Sequence, residues 1–459
     1  MDVGYSGIAW FLISTMVGLW LKFAYIIKEF WHDEAFQLLY SYKPLSFILD
    51  SNDVHPPLFN QLTHYLTWFT VDPIVLRSVM LILSLMFGLV FFDTIRRMLG
   101  TKVALWSYCA LNLSTTFAYY SVEFRSYMFV MLLTMLQVQA FNWWMKEEDR
   151  YGMIYVILSL AMVFTHYMAG LVILVQFFFA IKKKKRLVWI EYVFMGLFSF
   201  PVIAYMLNTL PKIQSFWFKD IGMVSLISTF AHYINLPENP ILFILVVVIY
   251  TIIVAGMPFW KLQYINILKQ LLAYILVPVV VMWIVSQQFA FYHHRYFMFG
   301  GVFVFALFGY SYVQLSRQLK IMKLLPIVML SFVLMNLPVY TTPLKDSASL
   351  IQIDDKLPIV HTSSFSQSPY KVYLPDYDHY LLTGLTKEKR FTAGGSVIED
   401  NEVLYTADGS YDFSRFEDGY YWVSDKDLAG GEYVYKEEGL VVKKMARIQK
   451  EAQFEFSFD

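Results

Sequence analysis

The side chains of this sequence that could carry chemistry are concentrated in five short segments, each next to a long apolar run. These segments cover residues 31–36, 55–59, 121–127, 166–167 and 292–297. They supply carboxylates, imidazoles, guanidinium groups and phenols, which proteins use to transfer protons and to hold phosphate. Because ionisable side chains are costly inside a membrane, each segment needs a functional or structural reason.

The first segment contains two adjacent carboxylates, Asp33 and Glu34. Two acids at the start of an amphipathic helix stabilise it through the helix dipole, which is the structural interpretation. In the functional interpretation, Asp33 is a general base in a cavity that faces outward at the membrane surface. The residues alone leave both interpretations open.

In the second segment, His55 is followed by two prolines. A double proline blocks the preceding helix and favours an extended entry into the next one, so the segment could serve only to separate two helices. Alternatively, the stiff backbone presents His55 to the same cavity as Asp33.

The third segment contains Glu123, Arg125 and Tyr127. Residues spaced by two do not share one helical face, but a turn or a helix start could bring them together, with Glu123 pairing Arg125. The structural alternative is an arginine that reaches the interface beside a local ion pair, which contributes only about 0–1 kcal/mol when exposed.

The last two segments contain His166, His294, Arg295 and Tyr296. Tyrosine and histidine at the membrane interface are typical of the aromatic belt of a membrane protein. Arg295 indicates more, because a guanidinium at headgroup depth can bind a phosphate through two parallel hydrogen bonds.

A divalent metal ion is a further candidate partner of these side chains. Asp33, His55, Glu123 and His293 offer suitable ligand atoms, and further histidines lie nearby in the sequence. No pair shows the short helical spacing of a dedicated zinc site, so the metal stays open. A phosphate-binding Walker loop and a dinucleotide fingerprint are both absent from the sequence.

Composition then fixes the class of protein. The chain has 459 residues, of which 58% are hydrophobic and 16% charged, against about 45–50% and 25% in soluble domains. This argues against a soluble enzyme, a disordered protein and a nucleic-acid binder. We predict an all-α polytopic membrane protein with membrane lipids among its binding partners.

Runs of about 17–20 apolar residues predict eleven transmembrane spans. The fifth and sixth spans come from one long run, divided at residues 165–167. The spans cover residues 5–27, 74–95, 102–121, 126–145, 151–166, 167–181, 187–207, 240–259, 270–287, 296–315 and 324–341.

The charge distribution predicts the orientation. Residues 1–340 carry 23 Lys/Arg and 15 Asp/Glu, and residues 341–459 carry 13 and 21, so the net charges are +8 and −8. With a cytoplasmic N-terminus, 15 of those 23 basic residues lie in inner loops, including the basic run at 182–186. An odd number of spans then puts the acidic tail outside the cell membrane.

The expected domains are a transmembrane domain over residues 1–341 and a soluble extracytoplasmic domain over 342–459. The long outer segments 28–73 and 208–239 exceed ordinary loop lengths, and their mixture of aromatic and polar residues predicts short interfacial helices. In the tail, short apolar stretches alternate with turn clusters, which predicts a small α/β or mostly β domain.

In this order, the five segments resemble those of the GT-C membrane glycosyltransferases. The similarity covers about residues 6–315 and includes an acidic pair after the first helix, HPPLF, S-x-E-x-R-x-Y, HY and HRYF. It is greatest with glycosyltransferase family 39, the branch of the protein O-mannosyltransferases and the aminoarabinose transferase. Such enzymes transfer a sugar, with inversion, from a polyprenyl-phosphate carrier to a lipid, glycan or protein acceptor on the non-cytoplasmic side.

The resemblance also implies roles for individual residues. Asp33 corresponds to the catalytic acid/base residue, with Glu34 beside it, and His55 and Glu123 line the cavity. The groups expected to hold the carrier phosphate or line its site are Arg125, Tyr127, His166, His294, Arg295 and Tyr296. The acceptor and the sugar do not follow from the resemblance.

Two other classes of protein are open alternatives. A transporter or flippase of lipid-linked sugars would place its binding groups near the bilayer midplane and would have two related halves, neither of which the sequence favours. A polytopic scaffold that binds a partner through its tail would leave the clustered acids, arginines and histidines without a purpose.

Overall fold

The computed structural model has a predominantly helical chain with a small C-terminal sheet. It describes residues 5–50, 53, 55–146, 151–182, 188–213, 222–234, 240–288, 292–336, 343–352, 356–382, 402–404, 416, 418–424, 432–437 and 440–445. Contacts divide the chain into two units. The helical unit comprises Met1–Ile27, Asp53–Leu62 and Trp68–Val339, and the mixed unit comprises Lys28–Asn52, Thr63–Thr67 and Tyr340–Asp459.

Nineteen α-helices occur within the described ranges. In chain order they are α1 Tyr5–Ile26, α2 His32–Ser41, α3 Leu45–Leu49, α4 Pro57–Leu66, α5 Pro73–Leu99, α6 Thr101–Asn112, α7 Thr115–Tyr120, α8 Ser126–Lys146, α9 Gly152–Thr165, α10 Gly170–Lys182, α11 Val188–Ile213, α12 Met223–His232, α13 Pro240–Gly256, α14 Ile265–Val285, α15 Met298–Gly301, α16 Phe303–Gln318, α17 Leu325–Met335, α18 Pro343–Gln352 and α19 Ser364–Tyr373.

The prediction of a polytopic helical protein is confirmed. Among the described residues, five helices are long and apolar enough to cross a membrane, and a sixth span results if the pair His294–Gly301 and Phe303–Gln318, bent by 47°, counts as one. Every predicted span contains a helix, but several of these helices are shorter than a bilayer requires. By the length criterion alone, therefore, fewer than the expected eleven spans are present in the described residues.

One predicted span is broken in the structure. Residues 102–121 form two helices, α6 and α7, separated at Leu113 and Ser114. The Ser114 hydroxyl accepts a hydrogen bond from Phe117 N at 3.0 Å and donates one to Ile234 O at 2.8 Å. Serine is a favoured helix N-cap because its oxygen satisfies a free amide of the first turn. Hydropathy alone does not detect such a break.

The long segments 28–73 and 208–239 contain the expected short helices, α2, α3 and α4 in the first and α12 in the second. The aromatic residues 216–218 and most of the basic run 182–186 lie outside the described residues. The contact-based division differs from the predicted boundary, because residues 28–52 group with the tail rather than with the spans.

The tail folds as the predicted small α/β domain, with a five-stranded mixed sheet in the described residues, in the order β2-β1-β3-β5-β4. The strands are β1 Ile359–His361, β2 His379–Leu381, β3 Tyr420–Ser424, β4 Glu432–Glu437 and β5 Leu440–Met445. β1 pairs parallel with β2 and β3, whereas β3–β5 and β4–β5 are antiparallel.

Both faces of the sheet are buried at strand β3. Tyr421 and Val423 pack with residues of α18 and α19 on one face, and Tyr420 and Trp422 pack with Phe416 on the other. This alternation follows from the two-residue period of a strand. Residues 370–373 are one of the short apolar stretches from which strands are predicted in the tail, but they belong to α19. The N-cap residue of α19, Ser363, accepts a hydrogen bond from Phe365 N.

Within the helical unit, a buried amide pair joins α8 to α10. Gln137 Nε2 donates to Gln176 Oε1 at 2.6 Å, and Gln176 Nε2 donates to Gln137 Oε1 at 2.9 Å. Gln137 also donates to Ser159 of α9, and Tyr155 of α9 donates to Gln176 while sharing a hydrogen bond with Tyr192 of α11. These bonds link four helices. The surrounding hydrocarbon cannot form hydrogen bonds, so it could not replace any of these polar side chains as a partner.

Gln137→Leu is expected to lower the free energy of unfolding by about 1 kcal/mol, because the Gln176 amide loses its reciprocal partner. The double variant with Gln176→Leu should lose less than the sum of the two single variants, since it leaves neither amide unmatched. Thermal unfolding of the purified protein in detergent measures all three. Strict additivity would show that the two amides are not coupled.

In the tail, two buried histidines form a directed hydrogen-bond chain. His379 Nε2 donates to Leu374 O at 2.9 Å, so His379 Nδ1 accepts from His361 Nε2 at 3.1 Å. Burial lowers the pKa of His379 to about 4 and that of His361 well below its usual value. Protonation of His379 at Nδ1 would place two donors face to face, because His361 Nε2 already carries a proton.

The tail is therefore expected to lose stability in acid. A histidine whose folded-state pKa is depressed stabilises the fold above its unfolded value of about 6.5, and this contribution is lost as the pH falls towards 4. Hydrogen exchange of β1 and β2 amides at pH 7 and pH 5, corrected for intrinsic rates, measures the effect. His379→Gln keeps an amide donor without titrating, so its pH dependence should be smaller; an unchanged dependence would contradict the assignment.

Candidate functional site

The site in the helical unit begins with the tight turn between α7 and α8. Arg125 N donates to Glu123 O at 2.7 Å, and this turn buries both side chains, which are only 5% and 2% exposed. Tyr127, in the first turn of α8, is also buried. The turn thus brings together the three residues that the sequence predicted, although their spacing does not fit one helical face.

The segment with the double proline packs against this turn. α4 begins at Pro57, a position that suits proline because the first helical amide has no intrahelical acceptor. The ring of Phe59 lies 6.4 Å from that of Phe124 and 6.1 Å from that of Phe129. His55, directly before the prolines, is buried.

Three predicted residues meet in one cluster of rings. The centroids of His55 and His166 are 5.6 Å apart, and Tyr296 lies 5.9 Å from each of them. Phe299, which the sequence analysis missed, lies 6.0 Å from His166. Segments separated by more than a hundred residues thus converge at the break between α9 and α10.

His166 occupies this break in an extended conformation and is only 3% exposed. Among the described residues, neither of its ring nitrogens has a hydrogen-bond partner. The Tyr127 hydroxyl is in the same situation. Because an unsatisfied buried polar group costs about 1–3 kcal/mol, groups of this kind are expected where a ligand completes the hydrogen bonds.

Basic side chains interact with these polar groups. Electrostatic interactions join Tyr127 to Arg295 and Arg125, and His166 to His55 and Arg125. The Arg295 guanidinium lies 5.6 Å from the ring centroid of Tyr296. The arrangement combines two guanidinium groups, two imidazoles and two phenols, which is chemistry suited to a phosphate or another oxyanion.

A second group of rings lies at the start of the short 3-10 helix His294–Phe297. His294 stacks on His232 at the end of α12, with centroids 3.2 Å apart, and His293 lies 4.0 Å from His294. His293 Nδ1 accepts from Arg295 N at 3.4 Å. Among the described residues, no three His, Cys, Asp or Glu side chains are arranged to hold a metal ion.

Asp33 and Glu34 belong to the mixed unit, where they lie in the first turn of α2. Glu34 is 1% exposed and Asp33 is partly buried. The four remaining segments belong to the helical unit, so the candidate residues are distributed over both units.

The sequence analysis also missed Asp53, a carboxylate that is 4% exposed. Its Oδ2 accepts from Asn60 Nδ2 at 2.9 Å, and its backbone carbonyl accepts from the Tyr205 hydroxyl at 3.1 Å. These bonds fix the chain just before His55 to α4 and α11. The only sequence signal was its position two residues before the histidine.

The helices and their charged turns define a polytopic membrane protein whose fold matches that of a solved structure, which confirms the expected resemblance at the level of the fold. The solved structure that carries this assignment is ArnT from Cupriavidus metallidurans bound to undecaprenyl phosphate. It has a TM-score of 0.54 and 12% identity over 95% of this chain and 98% of that one. The apo structure of the same ArnT has a TM-score of 0.46 and 13% identity over 96% and 98%. No family model and no curated protein matches the sequence.

His166→Phe is expected to leave the melting temperature unchanged or to raise it, because phenylalanine keeps a ring in the cluster and removes two unsatisfied nitrogens. Thermal unfolding in detergent without added lipid measures this effect. Phe299→Ala is the matched comparison, since it removes a ring from the same cluster and should lower the melting temperature. A marked loss of stability in His166→Phe would show that the imidazole is satisfied within the fold.

Proposed function

We propose that this protein is an inverting glycosyltransferase that moves a sugar from a polyprenyl-phosphate carrier to an acceptor on the extracytoplasmic side of the membrane. The observation that carries the proposal is the convergence of four charged segments around His166 in a chain with the GT-C fold. The binding of undecaprenyl phosphate by ArnT, which shares this fold, supports a carrier of that chemical class.

On the donor side, the bond between the sugar carbon C1 and the carrier phosphate oxygen breaks. The leaving polyprenyl phosphate is a stable anion, so it requires neutralisation of its charge rather than a proton. Arg125 and Arg295 supply that charge, and Tyr127, His166 and Tyr296 supply hydrogen bonds to the phosphate oxygens. His55, Glu123 and His294 line the same cavity.

On the acceptor side, an alcohol oxygen attacks C1 from the opposite face of the sugar, which gives inversion. Its proton passes to the Asp33 carboxylate, while the electron pair of the breaking bond leaves with the phosphate. Glu34 lies beside Asp33 in the first turn of α2. If the acceptor is itself a phosphate or carboxylate, no proton is removed and Asp33 orients the acceptor.

The proposed orientation follows from the distribution of Lys and Arg. A cytoplasmic N-terminus leaves most basic residues of the spans in inner loops and puts both the charged segments and the tail outside. The acceptor is then a lipid, a glycan or a protein of the cell envelope.

Asp33→Asn should lower the turnover number by about 10²- to 10⁴-fold and leave carrier affinity unchanged, because the amide cannot accept the proton. Sugar release and transfer from labelled polyprenyl-phosphate sugars by the purified protein measure this. Asp50→Asn, at an exposed carboxylate in the same outer segment, is the control. Full turnover in Asp33→Asn would remove Asp33 from the mechanism.

Arg295→Ala should weaken carrier binding by about ten- to hundredfold, the loss expected for a charge-assisted hydrogen bond to phosphate. Binding of fluorescent polyprenyl phosphate to protein in detergent measures the affinity. Arg295→Lys keeps the charge without the planar fork and should give an intermediate affinity, whereas Arg317→Ala, at the far end of α16, should have no effect. Equal affinities in all variants would refute the phosphate role.

One outcome would favour the flippase alternative. In it, the unmodified protein binds the carrier saturably but releases none of the sugars tested, even when lipid, glycan and protein acceptors are present.

A further inference from the structure

The segment that carries Asp33 is held by residues of the tail. Glu29, just after the first span, has its carboxylate against the start of α18, where Glu29 Oε2 accepts from Lys345 N at 2.9 Å. The side chain of Glu29 is buried. A carboxylate is well placed there, because the free amides and the dipole of a helix favour negative charge at its N-terminus. Glu29 therefore ties the chain before α2 to α18.

α19 holds the same segment through two hydrogen bonds and one ring contact. Phe30 N donates to the Tyr373 hydroxyl at 2.6 Å. His32 Nδ1 lies 3.0 Å from Ser364 O, and because a carbonyl only accepts, Nδ1 carries the proton. The His32 ring also packs on Phe365, with centroids 4.3 Å apart. Contacts from both ends of α19 thus reach the chain within three residues of Asp33.

The residues at the start of α2 do not fix the position of this helix by a capping hydrogen bond of their own. The N-cap residue of α2 is Trp31, and its side chain forms no capping hydrogen bond. The start of α2 is therefore placed by the contacts of Phe30 and His32 with α19 rather than by a cap of its own. Because Asp33 follows His32 directly in the first turn, any displacement of His32 displaces the carboxylate.

We propose that α19 positions Asp33 for catalysis, with Tyr373 and His32 as positioning residues. This inference rests on the proposed function and gives the soluble domain a role in the same reaction. A general base must lie within hydrogen-bond reach of the acceptor proton, and a displacement of about 1 Å can reduce the rate about a hundredfold. The tail would then act on kcat without contacting the carrier phosphate.

Tyr373→Phe tests the proposal with the smallest change. Loss of the hydroxyl leaves Phe30 N without this acceptor, so kcat should fall about tenfold or more while carrier affinity and the KM for the carrier stay unchanged. Tyr377→Phe is the matched control, because Tyr377 donates its hydroxyl hydrogen bond to Ile351 O within the tail. Thermal unfolding of both variants shows that the fold is retained.

His32 provides a second pair of variants. His32→Phe keeps a ring against Phe365 but removes the donor to Ser364 O, and should lower kcat. His32→Asn provides an amide N–H close to the position of Nδ1 and should restore much of the lost kcat, which a residue that serves only to fill space would not do. Hydrogen exchange of the α2 amides should increase in Tyr373→Phe and in His32→Phe.

The outcomes separate this inference from the proposed function. A fall in kcat at constant KM, with faster exchange in α2 and rescue by His32→Asn, supports positioning by α19. Unchanged kcat in Tyr373→Phe and His32→Phe, in a protein whose unmodified form is active, overturns the positioning role alone. Absence of turnover in the unmodified protein with every donor overturns the proposed function, and the positioning role falls with it.

Discussion

Polar groups in the helical unit must find partners within the protein, because the surrounding hydrocarbon offers none. This constraint explains the reciprocal amide pair of Gln137 and Gln176 and the position of Arg77. Arg77 Nη1 donates to the carbonyls of Tyr25 and Ile26 at the end of α1, where a cation also interacts favourably with the helix dipole. In the same setting, the ring nitrogens of His166 lack a hydrogen-bond partner among the described residues, which is consistent with the phosphate site proposed above.

Hydropathy predicted the helices well because the membrane imposes one simple requirement on every spanning segment. The order of charged turns likewise predicted the residues that meet around His166, since helix ends on one side of a membrane lie in one layer. Breaks within helices were harder to predict from the sequence. Ser114, where a predicted span is interrupted, donates a hydrogen bond to Ile234, which lies 120 residues away. Phe299 and Asp53 were missed because their importance depends on neighbours that are distant in sequence.

The division into units was the least predictable feature. Residues 28–34 look like part of a loop between spans, yet Glu29, Phe30 and His32 each bond to the tail. No local sequence pattern predicts these contacts, because one partner in each of the three hydrogen bonds is a backbone group. The tail therefore has a direct structural connection to the segment that carries the proposed catalytic carboxylate.

The bond between Phe30 and Tyr373 also sets an order of events during biosynthesis. Its two residues are separated by 343 positions, so it cannot form until Tyr373 has left the ribosome. At about 5–20 residues per second, this delay amounts to tens of seconds after the first span has emerged. The start of α2 therefore acquires this bond long after the first span has formed, and a chain truncated before α19 would never acquire it.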